Sequence, residues 1–114
     1  MSTRSTISVV QKDNSVKSVY CHFDGYINNG VGEYLKSYFN SDRLANNVIS
    51  EGDISSIHGK SVDSYYSKRG EDINIKYFST LDSFYRNKVK QEFNYLFIND
   101  QWQVGIGDDD YKVF

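Results

Sequence analysis

The chain contains no proline, a single cysteine, and no apolar run of the roughly 18 residues a membrane span needs. Each shortage closes a class. With Cys21 as the sole thiol no intramolecular disulfide can form, so a secreted disulfide scaffold is excluded and a reducing compartment is expected. The N-terminal stretch lacks a continuous apolar segment of signal-peptide length, so neither export by a standard signal nor membrane insertion is expected. Without proline or a linker-like composition nothing punctuates a boundary, and residues 1–114 are expected to form a single domain around one core.

Neither sign of charge dominates, since 13 basic and 15 acidic residues interleave to a net charge of −2. The basic residues form no stripe, which disfavours nucleic acid as a partner, and a DNA mimic would need far more acid. Only Asp108-Asp109-Asp110 is concentrated, and a solvated turn is its first explanation.

Aromatic rings are plentiful: ten Tyr and seven Phe can fill a core and also leave amphipathic rings for a partner. Two β-rich segments, Thr6 to Gln11 and Val16 to Phe23, flank the turn chemistry of Lys12-Asp13-Asn14-Ser15 and predict a hairpin, with Val19, Cys21 and Phe23 on one face. Asn28, Asn29, Gly30 and Gly32 then lead into a helix striped by Val31, Leu35, Tyr38 and Phe39, with Tyr34 alongside. Ser41 caps a second helix carrying Leu44, Ala45, Val48 and Ile49 and stopped by Gly52. Asp53 to Asp72 is polar and is expected to be the longest loop, before a third strand at Ile73, Ile75 and Tyr77. Ser79 or Thr80 caps a helix through Leu81, Phe84 and Tyr85, and a second hairpin turns at Asn99-Asp100 with Trp102 and Val104 on one face. The fold class is therefore α+β, with about five mostly antiparallel strands and two to three short helices.

The segment Tyr20-Cys21-His22-Phe23-Asp24-Gly25-Tyr26 is the densest in chemistry. Strand alternation puts Tyr20, His22 and Asp24 on one face and Cys21 on the other, so Cys21 and His22 are not a nucleophile and base pair, and Cys21 belongs in the core. Asp24 two residues from His22 can orient the imidazole as a general base; a structural hydrogen bond at the sheet end is the simpler alternative, because no nucleophile is in view. With His58 and the Asp108 to Asp110 run the donors still match no zinc or calcium spacing, and no metal or cofactor is expected. The glycines at Gly30 and Gly32 can leave helix-start amides free for a phosphate, although the full phosphate-loop patterns are missing and a plain turn explains them as well. Arg4 and Lys68-Arg69 can clasp an anion or pair with Glu71 and Asp72, and Tyr65-Tyr66 can anchor a partner or pin the loop.

Ser2-Thr3-Arg4-Ser5-Thr6-Ile7, the Tyr20 to Tyr26 segment, Gly30-Val31-Gly32 and Gly52-Asp53-Ile54-Ser55-Ser56 together resemble a group of small bacteriophage and prophage proteins of unknown activity. The likeness covers the first half; Lys68-Arg69-Gly70-Glu71 and the ring-rich C-terminal hairpin follow it more loosely. Some members are described as SH3-like barrels, which implies a partly closed sheet. The resemblance also implies the cytoplasm of an infected bacterium as the setting, and action by disabling a host component, host-defence systems such as CRISPR included.

Chemistry and resemblance lead to a non-enzymatic protein that binds and inhibits a host bacterial protein, with Arg4, Tyr20, His22, Asp24, Tyr26, Tyr65, Tyr66 and Arg69 as candidate binding residues. The alternative is an enzyme or sequestering protein for a phosphorylated small molecule or nucleotide, with Arg4, Tyr20, His22, Asp24, Tyr26 and Arg69 gathered around the Gly30 loop. A homodimer through a sheet edge or the aromatic hairpin is compatible with both.

Overall fold

Turn chemistry and two-residue alternation build the centre of the molecule. In the computed structural model, which describes residues 2–65 and 72–114, β1 (Ser5–Val10) and β2 (Val16–Cys21) pair antiparallel with Ile7 opposite Val19. Asn14 supplies the left-handed backbone of their turn at φ 67. The other hairpin, β6 (Phe93–Ile98) and β7 (Gln101–Ile106), turns on Asn99 and Asp100, both left-handed at φ 54 and 61 as a two-residue reversal of this kind requires. The hairpins join through a parallel pairing of β1 with β6 that sets Ile7 beside Tyr95.

Around them lie α1 (Val31–Tyr38), α2 (Asp42–Ile49), β3 (Ile54–His58), β4 (Ser61–Ser64), β5 (Lys76–Phe78), α3 (Leu81–Asn87) and β8 (Lys112–Val113). The described residues thus form an α+β fold with three helices and an open, mixed sheet of eight strands, seven in the order β4-β3-β2-β1-β6-β7-β8 and β5 off this path against β2. The outer flank of β2 is shared: β5 pairs with its start (Val16 opposite Phe78) and β3 with its end (Cys21 opposite Ile54). Both edge strands are short, which limits the template they offer to another chain.

This sheet is larger than the expected five strands, and the closure into a barrel is not seen. The excess comes mainly from the segment expected to be a loop: Ile54 and Ile57 are fully buried, and Gly59 at φ 60 turns β3 into β4. Polar residues around those anchors hid the pattern. The third strand is shorter than its alternation suggested, with Ile73 exposed and pairing confined to Lys76–Phe78.

The two helices α1 and α2 cover one face. Val31, Leu35, Phe39, Ala45, Val48 and Ile49 meet Ile7, Val9, Val19, Cys21, Tyr95, Phe97 and Trp102 in the main core. Each Val, Leu, Ile or Phe among them contributes about 1.5–3 kcal/mol by leaving water. Ser41 Oγ accepts from Leu44 N at 3.2 Å to start α2, and Gly52, at φ 75, ends the turn that follows it. The Trp102 indole donates to the Phe39 carbonyl at 3.1 Å, tying β7 to the end of α1. On the other face α3, begun by a Thr80 cap, lays Phe84 on Val16 and Leu96 in a smaller core.

Candidate functional site

Strand pairing of β2 stops at Cys21, and the functional segment divides there. The Cys21 thiol is buried in the main core, where desolvation pushes its pKa up to about 12, so it is held as an unreactive thiol. On the opposite side Tyr20 Oη lies 2.6 Å from His22 Nδ1. Burial raises the Tyr20 pKa, opposed by the Arg4 guanidinium, whose charge and hydrogen bond favour the phenolate. Arg4, Tyr20 and His22 are thus brought together.

Asp24 does not join them. It adopts a left-handed backbone at φ 57 and its carbonyl accepts from Val31 N at 2.8 Å, which turns the chain off the sheet. The expected His22–Asp24 pairing on one face is therefore replaced by Tyr20–His22, because strand alternation ends before Asp24. The same exit explains Phe23, which was expected beside Cys21 and instead stands 45% exposed with its ring edge-on to His22 at 4.5 Å.

The segment's backbone is tightly held: Phe23 N donates to Ser55 O at 2.8 Å, Gly25 N to Thr3 O at 2.9 Å, and the buried Tyr95 hydroxyl to Gly25 O at 2.6 Å. Gly30 is required by contact, since a Cβ there would come within 2.5 Å of the Asp24 carbonyl oxygen. Val31 N and Gly32 N, the helix-start amides that could have met a phosphate, donate instead to the carbonyls of Asp24 and Tyr26 at 2.8 and 3.0 Å. The glycine loop is a turn sealed by its own chain, so a ligand gathered around Gly30 has lost its principal donors.

Tyr26 is 47% exposed, and its ring lies against the Phe93 ring at 6.3 Å. Tyr65 is half-buried, and its backbone N–H donates to Asp53 O at 3.2 Å, placing it beside the β3–β4 edge. Tyr66 and Arg69, with Lys68, lie outside the described residues. His58 is exposed at the end of β3, and Asp108 forms a 2.8 Å ion pair with Lys90 that lowers its pKa. Among the described residues no three His, Cys, Asp or Glu side chains converge as metal ligands.

A pocket of about 260 Å3 opens beside Tyr20 on the face of the sheet away from α1 and α2. Thr6 and Ser18 line its floor, Asp53 and Asn74 one side and Phe78 and Val89 an apolar wall, with Val19, Lys76 and Gln91 also in the lining. Sequence reading had singled out only Tyr20 among these, because the others come from β1, β2, β5 and two connecting segments with no shared motif. The alternation of Thr6 and Ser8, opposite Tyr20 and Ser18 in turn, was the available signal: a polar face on strands at the middle of a sheet.

Fold and site define a small α+β protein with a rigid, ring-bearing segment at one end of its sheet and a polar pocket beside it. No family model matches the chain, and neither a curated protein nor a solved structure does. No helix among the described residues is long and apolar enough to cross a membrane.

Proposed function

We propose that the chain is a phage-encoded accessory protein that works by binding: it engages a host bacterial protein in the cytoplasm of the infected cell and inhibits it. Defence systems, CRISPR among them, are the target class that the motif resemblance suggests. The observation that carries the binding reading is the segment from His22 to Tyr26. It holds two large rings, Phe23 and Tyr26, about half in solvent while the backbone between them is fixed by hydrogen bonds to Ser55, Thr3 and Val31. Rings presented on an ordered backbone lose little entropy on docking, and aromatic side chains are favoured anchors of interfaces. Cys21, the one strong nucleophile in the segment, is buried as a protonated thiol, which favours binding over covalent catalysis at this place.

Affinity capture from host lysate with wild type and a folded Phe23→Ala/Tyr26→Ala variant tests this. Wild type should retain a specific bacterial protein and the variant should lose it by tenfold or more, that is by about 1.4 kcal/mol or more. Repeated capture of nothing specific, or equal retention by both, overturns the proposal.

A further inference from the structure

From the pocket beside Tyr20 we infer a binding site for a compact organic anion, one carboxylate or phosphate monoester carrying a small apolar body. This inference does not rest on the protein-binding proposal. Its first support is the floor. β1 is flanked on both sides, by β2 and β6, yet the face it shows the pocket carries Thr6 and Ser8, next to Ser18. All three are buried, and burying hydroxyls where Val or Ile would pack costs stability. Further along the same face Val16 and Leu96 pack normally against Phe84, so the polarity is local to the pocket.

The hydroxyls are only partly used. Ser8 Oγ donates to Ser18 Oγ at 2.8 Å, which leaves the Ser18 proton for an acceptor in the pocket. Asp53, by contrast, is held on both oxygens: Oδ1 accepts from Tyr20 N at 2.9 Å and Oδ2 from Asn74 Nδ2 at 2.7 Å, so this carboxylate braces one side. Lys76 has no ion-pair partner among the described residues, and Arg4 adds a second cation at Tyr20. In the lining Lys76 offsets the one braced carboxylate, and Arg4, beside Tyr20 just outside it, tips the local charge positive.

The side facing the sheet is a strap, residues 88–91, held in place from outside. Lys88 Nζ sits over the rings of Tyr111, Tyr85 and Phe84 at 4.9, 5.3 and 6.0 Å, and Lys90 pairs with Asp108. Asn94 locks the end of the strap, accepting from Gln91 N at 2.9 Å and donating to Gln91 O at 3.0 Å. With Lys88 and Lys90 held by those contacts away from the pocket lining, Val89 and Gln91 line the pocket, which is therefore formed before any ligand arrives. Its volume lies below the roughly 300–1,000 Å3 of sites for drug-sized molecules, which restricts the occupant to about the size of an amino acid or a nucleobase. An acidic group would meet Lys76 and the Ser18 hydroxyl, with the apolar body against Phe78 and Val89.

Backbone amide chemical shifts measured while adding benzoate, phenyl phosphate or, as the neutral control, benzyl alcohol decide the matter. At least one of the two anions should shift Ser18, Tyr20, Lys76 and Gln91 saturably while benzyl alcohol does not, and the stronger anion names the acidic group. Lys76→Met, at an exposed position, and separately Gln91→Leu should each weaken that binding about tenfold. No saturable shift at these amides, an equal response to benzyl alcohol, or undiminished affinity in both variants overturns the site.

Discussion

The two faces of one sheet are built on different principles. The face under α1 and α2 is packed with Ile7, Val9, Val19, Cys21 and the rings of Tyr95, Phe97 and Trp102. The opposite face divides halfway along, with an apolar patch around Phe84 at one end and paired hydroxyls and amides at the other. Both ends are buried, but only apolar contact adds stability by burial; the polar end recovers through hydrogen bonds roughly what it loses in hydration. The comparison separates residues that hold the fold from residues free to serve a ligand.

Truncating the helix-covered core should break the contrast most strongly. Leu35→Ala removes a fully buried side chain from α1 and should cost about 2–5 kcal/mol in urea unfolding. A loss below about 1 kcal/mol would mean that this face is not the main source of stability.

Alkaline pH probes the same core through its titratable groups. An unfolded thiol loses its proton near pH 8.5, whereas folded Cys21 keeps it to about 12, and burial also raises the pKa of Tyr95. Between those values the folded state binds more protons than the unfolded one, so stability should fall as pH rises. Cys21→Ala should delay the onset toward pH ~10, where unfolded tyrosines begin to ionise. Unfolding curves from pH 8 to 11 check this, and an unchanged onset in the variant would remove Cys21 from the account.

The smallest change is expected on the polar face. Ser8→Ala/Ser18→Ala removes both partners of one buried hydrogen bond and leaves neither unsatisfied, so stability should move by less than about 1 kcal/mol. A loss as large as that of Leu35→Ala would make the pair part of the scaffold and blur the distinction between the faces.

Much of the architecture was legible because its causes are local. Asn14, Asn99 and Asp100 occupy the turns their chemistry favours, Ser41 and Thr80 cap the helices, and Cys21 went to the core as alternation required. The errors share a cause as well. β3 and β4 escaped notice because serines and other polar residues separate Ile54, Ile57 and Val62, and Asp24 was placed with His22 because alternation was carried past the last paired residue. Of the candidate binding residues, Arg4, Tyr20 and His22 converge while Tyr26 stands apart as an exposed ring.

The sequence by itself determined the hairpins, the helix starts and the apolar stripes, since each depends on residues a few positions apart. Only the tertiary structure decided that β1 lies parallel to β6 and that Thr6 bonds Asn94 across a separation of 88 residues. It also decided that side chains from β1, β2, β5 and the 88–91 strap surround one pocket. No local preference encodes such neighbours: they follow from burying two hairpins and two helices together at once, and the pocket is what that packing leaves open.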